Sequence, residues 1–203
     1  NKNFSLTSED GLVANMNSKI HVNYKNVEKL YFTVLRFGKE VDYNKAQNKG
    51  QSALYKYLNT LKVEKTWEEI LPKIEDYNAT NTDIKLSGLP VGKYIILAST
   101  QKNTKLLDNQ AYSHIIVKSQ TLNFFITKDS IFTQIHVVNR YSGKPIKDAL
   151  VELFKNQYNY NSRNYEKTKV FNLKTNDLGI ATFNQNTNEY MNYLIEITYQ
   201  NEK

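Results

Sequence analysis

The chain has no cysteine, only 3 prolines, 7 glycines and one tryptophan in 203 residues. Without cysteine there is no disulfide, no thiolate metal site, no cysteine nucleophile and no internal thioester within these residues. That absence leaves the compartment open, because cysteine-free β-sandwiches outside the cell are held by core packing alone. The few glycines are not arranged to cradle a phosphate, and the P-loop, the dinucleotide turn, Gly-x-Ser-x-Gly and His-Glu-x-x-His are all missing. No apolar run approaches the ~20 residues of a membrane-spanning helix. Nor is charge gathered by sign. The net +7 divides into +5 over residues 1–120, where 17 basic residues face 12 acidic, and +2 over 121–203, where 10 face 8. Nucleic-acid binding needs a concentrated basic stripe or a recognisable module, and neither is present. The Lys, Asn, Ile, Tyr and Phe content also fits drift in an AT-rich genome. The chain opens Asn1-Lys2-Asn3-Phe4, without initiator Met, basic n-region or apolar h-region. Any signal peptide is therefore expected to be removed or to lie outside this stretch, which reads as a piece of something larger.

What is present is β-punctuation. Arg140-Tyr-Ser-Gly-Lys-Pro-Ile-Lys-Asp-Ala-Leu-Val-Glu-Leu-Phe154 and Thr175-Asn-Asp-Leu-Gly-Ile-Ala-Thr-Phe183 each set turn residues between apolar runs, the pattern of antiparallel hairpins. Strands are expected at Ile20–Tyr24, Leu30–Phe37, Lys93–Ala98, Tyr112–Val117, Leu122–Ile126, Ile131–Val138, Ala149–Phe154, Lys169–Leu173 and Ile180–Phe183. Met191, Tyr193, Ile195, Ile197 and Tyr199 form the cleanest period-two stretch. Between Asn44 and Leu61 the spacing of Leu54, Tyr57, Leu58 and Leu61 turns helical, so a short helix or irregular excursion interrupts the strands. Val63–Leu71 fits a strand through Val63, Trp67 and Leu71 or a helix through Trp67, Ile70, Leu71 and Ile74, and Pro72 counts against the helix. Strands without βαβ alternation over 203 residues predict an all-β chain of two tandem antiparallel β-sandwiches, 1–119 and 120–203, joined near Lys118–Thr121.

Candidate chemistry is sparse. His21, His114 and His136 fall on three different expected strands and read as half-buried strand histidines before they read as metal ligands. Glu64, Glu68, Glu69, Glu75, Asp76 and Asp83 could hold a glycosidase pair or a calcium ion, but the Asp-x-Asp-x-Asp-Gly spacing is missing, and a charged face around Trp67 is the plainer reading. Asn3-Phe-Ser5 and Asn78-Ala-Thr80 match the glycosylation sequon, which has meaning only in a eukaryotic secreted chain. The one segment composed for contact is Asn156–Tyr165. There Tyr158, Tyr160 and Tyr165 with Arg163 resemble a paratope, against the plainer reading of a long hairpin tip with solvent-facing side chains.

Leu86-Ser-Gly-Leu-Pro-Val-Gly-Lys-Tyr-Ile-Ile-Leu-Ala98 is similar to the Leu-Pro-x-Gly-x-Tyr strand entry of macroglobulin-type domains of the alpha-2-macroglobulin family, in its large bacterial branch. The pairing of Ser142–Ala149 with Thr175–Phe183 looks like the same family, as does Val63–Leu71 as the strand preceding the turn, which supports strand over helix there. The second-half motifs also occur in other Ig-like surface domains, and the Leu-Pro-x-Gly-x-Tyr module is what separates the two. The resemblance implies tandem macroglobulin domains of a secreted or periplasmic protein that cages proteases. It implies an extracytoplasmic location, neighbouring macroglobulin domains as partners, a target protease met through the whole parent protein, no cofactor, no nucleic acid and no enzymatic role. The family's Cys-Gly-Glu-Gln thioester cannot lie here, since cysteine is absent. The rival expectation is an Ig-like module of a bacterial surface assembly that binds protein or glycan through Tyr158–Tyr165. The third is a carbohydrate-active enzyme using the carboxylates between Glu64 and Asp83, to be tested by changing Glu68 and Glu69 to Gln.

Overall fold

The computed structural model describes residues 3–9, 11–73, 78–102, 111–160, 163–184, 193–200 and 202. Its chain divides into two compact units, Asn1–Gln120 and Thr121–Lys203. Both are built from sheets that are antiparallel except for the short parallel pairing of residues 12–13 with 119–120, and the first carries a helical excursion.

In unit 1, β1 (Asn3–Thr7), β3 (Ser18–Lys25) and β6 (Thr80–Leu86) form one sheet. The other runs β2 (Leu12–Val13), β8 (Tyr112–Gln120), β7 (Gly92–Ser99), β4 (Lys29–Arg36) and β5 (Val63–Ile70) in that order. Alternation does the sorting: Phe4, Leu6, Ile20, Val22, Tyr24 and Ile84 meet Leu30, Phe32, Val34, Tyr94, Ile96 and Val117 in one core. Full burial of each such side chain contributes about 1.5–3 kcal/mol. The odd-numbered residues of the central strands face the other way. There α1 (Glu40–Asn48) and α2 (Gln51–Leu58) lay Tyr43, Ala46, Leu54, Tyr55 and Leu58 over Leu35, Ile95 and Leu97. Two-sided cover is why β7 reads as a continuous apolar run instead of an alternating one.

The ambiguous segment from Val63 is the strand β5, which ends at Ile70, and the excursion between Asn44 and Leu61 is the helix pair α1 and α2. Val63 nevertheless does not join Trp67 and Leu71 on one covered face. A register shift opposite Val34/Leu35 inserts an extra residue, and Val63 stands exposed.

The Leu-Pro-x-Gly-x-Tyr stretch is a clamp. Tyr94 Oη donates to the Pro90 carbonyl at 2.9 Å and accepts from Arg36 Nη1, whose guanidinium also lies over the Tyr94 ring. The Leu89 carbonyl accepts from Asn15 N and from the buried Ser119 hydroxyl, both at 2.8 Å. Gly88 packs so closely that a Cβ would sit 2.4 Å from the Asn15 carbonyl.

Unit 2 contains β9 (Leu122–Lys128), β10 (Phe132–Asn139), β11 (Leu150–Asn159), β12 (Asn164–Lys174), β13 (Ile180–Asn184) and β14 (Tyr193–Thr198). They sort into the sheets β13-β10-β9 and β12-β11-β14, with Ile135, Val137, Ala149, Val151, Leu153, Ala181, Phe183 and Ile197 in the core. Met191 and Asn192 of the alternating stretch lie outside the described residues, while Tyr193, Ile195 and Ile197 follow it inward.

The two punctuating turns do not close hairpins. β10 and β11 belong to different sheets, as do β12 and β13, so both turns are corners that carry the chain between layers. They lock onto each other. Val137 N donates to the Gly179 carbonyl and Ile146 N to the Val137 carbonyl, while Asp148 N and Thr175 N exchange bonds with Thr175 O and Ala149 O. The buried Thr175 hydroxyl donates to the Ile146 carbonyl at 2.7 Å and accepts from Ala149 N at 2.9 Å. Gly179 has φ +71°, and a Cβ there would lie 2.5 Å from the Val137 carbonyl, which explains the glycine in the motif.

Candidate interaction site

The contact segment is the far end of the β11–β12 hairpin. β14 pairs with β11 from Leu150 to Lys155, and among the described residues Asn156–Asn159 pair only with Asn164–Lys167. A register shift at Leu153/Phe154 sets which side chains share a face. Beyond it Phe154 stands opposite Lys169, Asn156 opposite Lys167 and Tyr158 opposite Tyr165. Lys167 lies 3.8 Å over the Phe154 ring and pairs with Glu196, and Lys169 pairs with Glu152. The ribbon is thus braced at its base by ion pairs and cation–π contact.

At the tip the rings of Tyr160 and Tyr165 each approach that of Tyr158 edge-on, with centroids 5.2 Å apart. Tyr158, Tyr160 and Tyr165 remain 42%, 85% and 69% exposed. On the opposite face Asn159 Nδ2 donates to Glu166 Oε1 at 2.7 Å. Arg163 sits in the turn with φ +52°, and among the described residues its guanidinium makes no ring contact. The three tyrosines therefore come together as one aromatic face, and Arg163 stands apart from them.

The acidic cluster does not assemble. Glu64 faces Lys62 at 3.3 Å and Glu68 meets Lys29 at 2.7 Å. Glu68 and Glu69 are neighbours on a strand, so they project to opposite faces and cannot flank one glycosidic bond. Asp83 belongs to the other sheet, where hydrogen bonds from His21 and Lys19 hold its carboxyl below the usual range. Glu75 and Asp76 lie outside the described residues. The Lys29 ammonium likewise holds Glu68 low.

The histidines have separate partners. His21 is exposed on β3 beside Asp83 at 2.6 Å, so the half-buried expectation fails for it, because the outer face of β3 is open to solvent. His114 shares a 2.8 Å hydrogen bond with Tyr43 and stacks on Tyr112 beneath the helices, where burial pushes its pKa down. His136 stacks on Phe125 and meets Thr127 Oγ1 at 2.9 Å. No three His, Asp or Glu side chains gather as a metal site among the described residues.

A feature that sequence reasoning missed is a cavity of about 320 Å³ beside β4 and β5, bordered by Tyr31, Thr33, Thr66, Glu68 and Lys102. Its only signal in the sequence was Trp67, which stacks on Phe32 at 4.8 Å.

The geometry thus defines an all-β chain of two sandwich units, with three exposed tyrosine rings brought together at one hairpin tip. No protein-family model and no curated protein matches the sequence. Solved structures do match the fold. A crystal structure of native Escherichia coli alpha-2-macroglobulin spanning domains MG0-NIE-MG1 superposes with TM-score 0.62 at 13% identity, covering 99% of this chain and 62% of that one. A second, spanning NIE-MG1, gives TM-score 0.52 at 13% identity and covers 99% of this chain and 94% of that one. The chain therefore has the fold of bacterial alpha-2-macroglobulin fragments and spans less than two thirds of the longer one.

Proposed function

We propose that this chain supplies two adjoining, non-catalytic scaffold domains of an alpha-2-macroglobulin-like protein that traps proteases. The observation that carries the reading is fold likeness over 99% of the chain to a fragment of Escherichia coli alpha-2-macroglobulin. The sequence motifs support it, because each turns out to be a structural clamp: Tyr94 on Pro90 in unit 1, Thr175 and Gly179 at the sheet corner in unit 2. The two scaffold domains of this reading are the two compact units, which divide at Gln120/Thr121. An extracytoplasmic location, whether periplasmic, cell-surface or secreted, belongs to this reading, with neighbouring domains of the parent chain as partners. The parent protein, incubated with an endoprotease, is expected to protect a large protein substrate while a short chromogenic peptide is still cleaved. Equal cleavage of both with and without the parent refutes protease trapping.

A second reading rests on the tip, where three exposed tyrosines meet edge-on. On this reading Tyr158, Tyr160 and Tyr165 form a contact surface for a protein or glycan partner, and Arg163 belongs to the same hairpin turn without joining their aromatic face. Changing Tyr158, Tyr160 and Arg163 to Ala abolishes partner capture and leaves the far-UV spectrum unchanged. Capture undiminished by those changes removes the hairpin from function.

A further inference from the structure

We infer that β9 is a self-association edge through which two copies of this chain pair antiparallel. β9 is the outermost strand of its sheet, and among the described residues only β10 pairs with it. Phe124 and Ile126 stand opposite Val137 and Ile135, on the side that faces the unit 2 core. They are nevertheless 44% and 41% exposed, and Phe125 on the other face is 50% exposed. The apolar layer of the core thus runs out to an edge that nothing described covers.

Four other edges, β5, β6, β12 and β14, bear charged side chains, and β1 and β13, uncharged like the middle of β9, bury their apolar side chains at Phe4, Leu6, Ala181 and Phe183. From Asn123 to Thr127, β9 has no charge, no proline and no register shift. It is also self-complementary. About a two-fold axis through Phe125, Phe124 falls opposite Ile126 of the second copy and Asn123 opposite Thr127, while Phe125 meets its own equivalent. Lys128, the only charge on the strand, falls opposite Leu122, so no like charges are opposed.

The size of this contact sets its strength. Seven residues of strand edge from each copy bury on the order of 1,000 Å² in total, near the lower limit of specific interfaces. The expected dimer is weak and reversible, half-formed on the order of 100 µM.

The test is sedimentation velocity on the 203-residue chain from about 5 to about 500 µM, with the sedimentation coefficient expected to climb toward that of a dimer. Phe125→Arg sets two guanidinium groups face to face and keeps the chain monomeric throughout. Because the chain has no cysteine, Phe125→Cys adds a single thiol on the axis. Paired strand residues sit about 4.5–5.5 Å apart at Cα, within disulfide reach. Mild oxidation therefore yields covalent dimer at least about tenfold faster than Tyr141→Cys, an exposed position outside β9. A chain that is monomeric at the highest concentration, a dimer that survives Phe125→Arg, or equal cross-linking of the two cysteine variants overturns the proposal. Should Phe125→Arg misfold, the cysteine pair still decides.

Discussion

Thr175→Val removes one oxygen from the corner that joins the two layers of unit 2. Valine has nearly the same volume, so no cavity opens and the effect isolates two hydrogen bonds. The hydroxyl is buried, donates to Ile146 O at 2.7 Å and accepts from Ala149 N at 2.9 Å. Without it a buried N–H and a buried carbonyl lose their partners. Each such orphan costs about 1–3 kcal/mol, so a total of about 2–6 kcal/mol is expected. Thr175→Ser keeps both bonds and loses a methyl group, for about 1 kcal/mol. The assay is urea unfolding followed through assigned amide resonances of β10, β11 and β13. With a slope near 1 kcal/mol per M for a unit of this size, Thr175→Val lowers the midpoint by about 2 M or more. A shift below about 0.5 M, or a serine variant as damaged as the valine one, refutes the clamp.

Gly179→Ala forces a side chain into φ +71° and against the Val137 carbonyl, so thermal unfolding is expected to show a loss above about 2 kcal/mol. Tyr94→Phe leaves the Pro90 carbonyl and Arg36 without the phenol, with an expected cost of about 1–2 kcal/mol by urea titration. Tyr160→Ala, at a ring 85% exposed, stays within about 0.5 kcal/mol of wild type whatever it does to partner binding. Burial pushes the His114 pKa down, so on acidification the unfolded chain takes up the proton first. Stability is therefore full above about pH 6.5 and falls as pH drops from there to the lowered folded value, with a slope from this group of at most about 1.4 kcal/mol per pH unit. Titration of His114→Gln should show that part of the slope gone.

Sheet membership was the part of the fold that local signals could not carry. The residues Gly143, Pro145, Asn176 and Gly179 demand sharp turns, and the turns are there, but the same chemistry closes a hairpin or turns a corner between layers. Only long-range partners decide, and here the partners are the two turns themselves, locked through Thr175. β7 was legible because cover on both faces leaves a continuous apolar run. The helices were half legible, since α1 buries only Tyr43 and Ala46 and its stripe is too narrow to announce itself. At the hairpin tip, composition singled out the tyrosines, yet their convergence depends on the register shift at Leu153/Phe154, which sets the facing of every later pair and has no signature in the residues.

β9 marks the opposite limit. Leu122-Asn-Phe-Phe-Ile126 reads as a strand that belongs in a core, and of these residues only Leu122 is buried. Apolar residues on a strand report that cover is wanted, not that the same chain provides it. Where a strand meets that demand within its own unit, as β13 does with Ala181 and Phe183, sequence and burial agree. Where they disagree, as along β9, the unmatched apolar surface measures what the fold leaves for another surface to cover, and the register about Phe125 makes a second copy of the same strand a fitting one.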